Sequence, residues 1–221
     1  MTEIKICGIT DLEDALFAAA CRVEALGFIF YDRSPRYIAP SDAKRIIAAL
    51  PPEVARVGVF VNQKPDEVQR IFEDCGLDYI QLHGDETPAY CRQFPPSLLI
   101  KAVSLTASEL SALAAYQVQA LLVDSRTAGC YGGTGRQANW KLARRVKENR
   151  TLILSGGLRE ENIVAALAEV SPDAVDINSG VEIAPGRKDH DKVRRMVDII
   201  RGKDDRKGVR KLFIPRPQTE R

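Results

Sequence analysis

Three features of the sequence predict an α/β fold, specifically a single-domain (β/α)8 barrel of the TIM type. Short β-branched apolar runs alternate with amphipathic stretches from one end of the chain to the other. There are eight such runs, and a helix pattern between successive strands implies parallel pairing, because antiparallel hairpins need no helix between them. The runs are also apolar at most positions, as strands covered on both faces are. Eight units in 221 residues suit a closed barrel. An open doubly wound sheet would have fewer strands and a glycine-rich first turn, whereas here the first turn reads Cys7-Gly-Ile-Thr-Asp11.

The expected strands, in order, are Ile4–Cys7, Gly27–Phe30, Val57–Val61, Tyr79–Leu82, Leu99–Val103, Ala120–Asp124, Leu152–Ser155 and Ala174–Ile177. Their ends are separated by 23, 31, 21, 21, 21, 31 and 22 residues, enough each time for a helix and two loops. Helix patterns cover Asp11–Cys21, Ser41–Leu50, Pro65–Cys75, Ala107–Ala115, Asn139–Val146, Glu160–Ala168 and Asp189–Ile200. Thr10-Asp11 and Ser41-Asp42 supply oxygens for N-caps, Pro65 suits a first turn and Gly76 a helix end. The barrel is expected over 1–202.

Composition removes several classes of function. Hydrophobic residues are 45% and charged residues 28% of the chain, which excludes dominant disorder. No apolar run approaches the ~18 residues of a membrane span. Glu3 and Lys5 interrupt the first apolar run, unlike a secretory leader. The five cysteines form neither a CxxC pair nor a zinc spacing, so they read as free thiols in the cytoplasm. Net charge is +2, but residues 203–221 hold seven basic and three acidic side chains, leaving 25 basic and 27 acidic over 1–202. The body therefore carries no nucleic-acid footprint. Neither nucleic acid nor membrane is an expected partner, and a monomer and a homodimer are both open.

In such a barrel the chemistry lies where strands run into the following loops. Alternation turns Lys5 and Cys7 inward on the first strand, Leu122 and Asp124 on the sixth, Asp176 and Asn178 on the eighth. Cys7, Asp124 and Asp176 then converge at one rim, with Lys5 one layer below. A lone strand-end Asp commonly caps a loop; three titratable groups at one rim point to a site. Cys7 and Asp124 lie three strands apart and face each other across the mouth. A thiolate can take a proton and a carboxylic acid can give one, and proton traffic within one substrate is the work of an isomerase. Cys7 as a covalent nucleophile is the alternative, with His83 as its one candidate activator. Cys21, Cys75 and Cys91 fall in helix patterns as small buried hydrophobes; Cys130 sits in a glycine-rich loop.

Ser155-Gly156-Gly157 follows the seventh strand and Asn178-Ser179-Gly180 the eighth. Small residues there expose backbone N–H groups and admit a phosphate. Gly133-Thr-Gly-Arg-Gln-Ala138 matches a dinucleotide fingerprint, but it follows no strand directly, so a loop folding over substrate is the better reading. Arg36, in Ser34-Pro35-Arg36, could clamp an anion with two hydrogen bonds, or simply be solvated.

With Lys5-Ile-Cys-Gly-Ile-Thr10, Ser34-Pro-Arg36, Gly58-Val-Phe-Val61, Gln81-Leu-His-Gly84, Val123-Asp124, Gly132-Gly-Thr-Gly135, Leu154-Ser-Gly-Gly-Leu158 and Asp176 through Glu182 in this order, the chain resembles the phosphoribosylanthranilate isomerase family over residues 3 to about 201. The resemblance implies an Amadori rearrangement of N-(5-phospho-β-D-ribosyl)anthranilate to 1-(2-carboxyphenylamino)-1-deoxy-D-ribulose 5-phosphate, in L-tryptophan biosynthesis. It implies Cys7 as general base and Asp124 as general acid. It further implies Gly156, Gly157, Ser179 and Gly180 on the phosphate, Arg36 on the anthranilate carboxylate, His83 and Asp176 at the substrate, and no metal or organic cofactor. The chain departs from the family at Asn178, where serine is usual. The alternative is another phosphosugar barrel enzyme such as indole-glycerol-phosphate synthase. That enzyme wants a lysine high on a strand, where Lys5 is too deep.

The resemblance does not extend to residues 203–221. A mobile tail is expected, because seven basic side chains are costly to immobilise without acidic partners. The alternative is that Leu212-Phe213-Ile214 docks in a groove on the barrel or on a neighbouring subunit.

Overall fold

The computed structural model describes residues 1–104, 110–124, 138–203 and 211–217. Eight parallel strands close into a barrel in chain order: β1 (Glu3–Cys7), β2 (Ala25–Ile29), β3 (Ala55–Phe60), β4 (Tyr79–Leu82), β5 (Leu99–Val103), β6 (Ala120–Val123), β7 (Leu152–Leu154) and β8 (Ala174–Ile177). The ring closes where Lys5 of β1 pairs with Asp176 of β8. The helices are α1 (Leu12–Ala20), α2 (Pro40–Ala48), α3 (Pro65–Asp74), α4 (Pro88–Cys91), α5 (Trp140–Lys147), α6 (Ile163–Val170) and α7 (His190–Lys203). Of the helix expected over 107–115, Leu110–Ala115 forms a 3-10 segment and 107–109 lie outside the described residues.

Local chemistry sets the ends. Asp11 caps α1 by accepting the N–H groups of Glu13 and Asp14, as read from the sequence. The cap expected at Ser41-Asp42 does not form. Helix α2 starts earlier, with Pro40 in its first turn after an extended Ala39. Proline is preorganised for that position and lacks the N–H that a cap would satisfy. Asp42 instead pairs with Arg45 one turn on, at 2.6 Å. The sequence reading also missed α4, one short turn capped by Thr87, and an antiparallel hairpin, β9 (Glu182–Ala184) and β10 (Arg187–Lys188), between β8 and α7.

Alternation sorts the faces as expected. Ile4, Ile6, Leu26, Phe28, Phe60, Leu82, Leu121, Val123, Val175 and Ile177 pack outward in one core with the helices. Each such buried aliphatic or aromatic side chain is worth about 1.5–3 kcal/mol. The inward face forms a second core of Ala25, Ala55, Val57, Tyr79, Ile100, Ala102, Ala120, Leu122, Ile153 and Ala174.

That inner core also contains Leu212 and Phe213. Residues 211–217 are seated on the N-terminal mouth of the barrel, the docked arrangement that was the alternative to a mobile tail; 204–210 and 218–221 lie outside the described residues. Acceptors at the strand starts receive the backbone of this segment. Glu3 accepts the N–H groups of Leu212 and Phe213, and Asp78 that of Arg216.

Candidate active site

At the opposite, C-terminal mouth, Cys7, Asp124 and Asp176 are all buried at the rim. Lys5 Nζ lies 2.7 Å from Asp176 Oδ1, a pair set by the register in which those two residues face each other across β1 and β8. The thiol of Cys7 fits because its neighbour on β2 is glycine: a Cβ on Gly27 would come within 2.7 Å of Cys7 Sγ and 3.0 Å of Lys5 Nζ. Burial pushes the Cys7 thiol above its ordinary value, with Asp176 adding to the rise, while the Lys5 cation, hydrogen-bonded to it, and Lys188 pull it back. Lys5 loses water on burial, but Asp176 and Cys7 outweigh this and hold it above the usual lysine value. The ammonium is thus fixed in charge next to the sulfur, where it favours thiolate.

His83 does not serve Cys7. Its Nε2 lies 3.2 Å from Asp124 Oδ2, and its Nδ1 lies 2.9 Å from Gln81 Nε2. An amide donating to Nδ1 leaves the imidazole proton on Nε2, directed at Asp124. Gln81 Oε1 has no partner among the described residues. With the amide turned over, Oε1 would take the Nδ1 proton and Nε2 would accept from a protonated Asp124, the form a general acid requires. Neither arrangement brings the imidazole to the thiol, so nucleophilic activation of Cys7 by His83 has no support in the geometry.

Arg36 is neither solvated nor a free clamp. Its Nε and Nη2 make a bidentate pair with Glu182, the shortest contact being 2.7 Å. Glu182 also accepts from Lys188 Nζ at 2.9 Å, and Lys188 donates further to the Cys7 carbonyl at 2.6 Å and to Asn178 Oδ1 at 3.1 Å. Although burial disfavours its charge, hydrogen bonds from Arg36 and Lys188 hold the Glu182 carboxyl below its usual value. Burial, the largest influence, lowers Lys188 despite Glu182. This chain of charges ties the loops after β1, β2 and β8 together and fixes the guanidinium orientation. Sequence reasoning missed Lys188, which reads as a surface lysine. The available signal was Pro185-Gly186, a turn dipeptide that folds β10 back on β9. Asn178 gains a reason here: its side-chain oxygen reaches Lys188.

The glycine loops meet. Gly156 and Gly157 have φ of 86° and 64°, a region costly for residues with a Cβ, and their N–H groups have no acceptor among the backbone hydrogen bonds of the described residues. Gly180 packs so close to the β7 loop that a Cβ would lie 2.0 Å from the Leu158 carbonyl oxygen. Ser179 and Gly180 open a 3-10 turn, Ser179–Val181, and remain half-buried. The loop after β8, with Ser179 and Gly180, thus packs against the loop after β7, with Gly156 and Gly157, at Gly180 and Leu158. Of the segment 133–138, only Ala138 is described; the rest of the expected covering loop and Cys130 lie outside the described residues. Among the described residues, no group of three or more His, Cys, Asp and Glu side chains is arranged to hold a metal ion.

Groups able to take and give protons, collected at the end of a parallel barrel that hosts chemistry in this fold, define an acid–base enzyme on a (β/α)8 scaffold. The model of the N-(5'-phosphoribosyl)anthranilate isomerase family matches residues 4–199. The N-(5'-phosphoribosyl)anthranilate isomerase of Syntrophus aciditrophicus is 52% identical over 222 residues, covering 100% of this chain and 95% of the relative. The crystal structure of the Thermotoga maritima phosphoribosyl anthranilate isomerase superposes with a TM-score of 0.84 at 41% identity, over 91% of this chain and 100% of that one. A phosphoribosyl anthranilate isomerase structure in complex with reduced 1-(o-carboxyphenylamino)-1-deoxyribulose 5-phosphate gives 0.81 at 40%, with the same coverage. The chain belongs to the phosphoribosylanthranilate isomerase family: it is an aldose–ketose isomerase of tryptophan biosynthesis.

Proposed function

We propose that the chain performs the Amadori rearrangement of N-(5-phospho-β-D-ribosyl)anthranilate with Cys7 as general base and Asp124 as general acid. The observation that carries this reading is the buried thiol beside the Lys5 ammonium, three strands around the ring from a carboxyl held by His83. Asp124 would protonate the furanose ring oxygen, so that the C1–O bond breaks and a protonated Schiff base forms at C1. Cys7 thiolate would then take the C2 proton, giving an enolamine that tautomerises to the ketone. Atoms and electrons balance within the substrate, so neither oxidant nor cofactor is required.

Gly156, Gly157, Ser179 and Gly180 would hold the 5-phosphate through backbone N–H groups. Arg36, its Nε and Nη2 occupied by Glu182, would offer its remaining Nη1 to the anthranilate carboxylate. Asp176 acts through Lys5 and is a positioning residue. His83, engaged by Asp124, would reach substrate only from that pair. The indole-glycerol-phosphate synthase alternative is disfavoured because Lys5, the lysine nearest the rim on β1, is fully buried and paired. Free Cys7, Cys21, Cys75 and Cys91 suit a reducing cytoplasm. No helix among the described residues is long and apolar enough to cross a membrane. The T. maritima isomerase is described as dimeric, which makes a homodimer the assembly to test by sedimentation.

The test is direct. Purified protein mixed with N-(5-phosphoribosyl)anthranilate should change the fluorescence of the anthranilate group and yield a product of unchanged mass. A product that has lost mass, or no turnover, would overturn the reading. A second expectation follows from the charge beside the thiol. Lys5→Met removes the cation favouring thiolate, so Cys7 ionises at higher pH and the acid limb of kcat/KM should move up, by about one pH unit or more. An unmoved limb in folded protein would show that Cys7 is not the titrating base.

A further inference from the structure

We propose that the N-terminal mouth of the barrel is a peptide-binding site, built by Glu3, Asp78 and Tyr79, and that its ligand is the chain's own segment 211–217 bound in cis. Two independent features support it. The first is volume. Strands β2, β3, β6 and β8 each begin with an inward alanine, Ala25, Ala55, Ala120 and Ala174, in a barrel interior that bulky branched side chains ordinarily fill. Four alanines leave that end of the interior short of material, and close packing does not tolerate the void. Leu212 and Phe213, each 3% exposed, join these alanines in one cluster, and the Phe213 ring meets Tyr79 edge-on at 5.9 Å.

The second feature is main-chain recognition. Glu3 takes the N–H groups of Leu212 and Phe213 at 2.7 and 2.8 Å, one on each carboxylate oxygen. The Tyr79 hydroxyl donates to the Leu212 carbonyl and accepts from Ile214 N–H, both at 2.9 Å. Asp78 takes the N–H of Arg216 at 2.8 Å. Arg216 then stacks over Phe72 at 4.5 Å and donates to the Leu77 carbonyl. Every N–H from Leu212 to Arg216 is therefore received by a side chain, Pro215 having none. Such a cradle selects an extended segment with an apolar pair followed by Pro-Arg, the peptide class that fits.

Binding in cis is within reach. Arg201 of α7 donates to the Thr2 carbonyl and pairs with Glu24, so α7 ends beside the starts of β1 and β2. The eight-residue step from Lys203 to Lys211 can span about 27 Å. The T. maritima structure covers 91% of this chain, whereas the alignment with the Syntrophus relative spans 100% of this chain and 95% of the relative. The segment is thus an addition to the barrel, at the mouth away from the proposed chemistry.

The experiment uses the full chain. Leu212→Ala/Phe213→Ala together should lower Tm by roughly 10 °C while kcat/KM at 25 °C stays within about threefold of the parent. Tyr79→Phe should lower Tm in the parent background and have little effect once the apolar pair is gone, because its partners will have left. Hydrogen exchange should show the amides of Leu212, Phe213, Ile214 and Arg216 protected in the parent, and exchanging freely in the double variant. Free exchange of these four in the parent, or equal Tyr79→Phe effects in both backgrounds, would overturn the proposal. Protection that vanishes on dilution to monomer would assign the segment to a second copy and overturn the cis arrangement.

Discussion

Cys7→Ala and Asp124→Asn are each expected to reduce kcat by two or more orders of magnitude with the fold intact. General acid or base catalysis by one positioned side chain typically contributes about 10²–10⁴-fold, and neither replacement supplies a group that can do the work. The carboxamide introduced by Asp124→Asn could still accept the His83 proton but could not give one to a ring oxygen. Cys7→Ser should be nearly as poor as Cys7→Ala, since a hydroxyl is far less acidic than a thiol of reference pKa about 8.5, even beside Lys5. If the carboxamide and alanine variants turn over near the parent rate while circular dichroism shows a native fold, the acid–base assignment is wrong. The double variant should be little worse than either single one, because the two groups act in one proton relay and their effects are not additive.

Gly180→Val should lower kcat/KM by about 30-fold, a loss of about 2 kcal/mol, mainly through KM. Even the Cβ of this side chain would stand 2.0 Å from the Leu158 carbonyl oxygen, so the β8 loop must move off the β7 loop, which carries Gly156 and Gly157. Inorganic phosphate should inhibit the parent competitively at millimolar-scale concentrations and the variant far less. An unchanged inhibition constant in the variant, or no anion competition in the parent, would remove the phosphate from these loops.

The inward-facing side chains of the C-terminal mouth were legible along the chain because their signals are periodic. Strand alternation alone turned Cys7, Asp124 and Asp176 toward one rim, and the apolar runs required both faces to be covered. The register that sets Lys5 opposite Asp176 could not be read from periodicity, and neither could the pairing of His83 with Asp124 or of Arg36 with Glu182. Each joins residues far apart in sequence, and nothing local in either partner specifies the other.

The N-terminal mouth divides the two kinds of information most clearly. Sequence determined that residues 203–221 are basic, carry one apolar triplet and follow the last barrel helix; by itself that composition favours a solvated tail. Only closure of the barrel gathers four alanines at one end of its interior and leaves room for Leu212 and Phe213, with Glu3, Asp78 and Tyr79 around them. The physical reason is that a missing volume and a set of acceptors converging on it are properties of the closed ring. No single strand possesses them, so they exist for the tail to fill only once all eight strands have met.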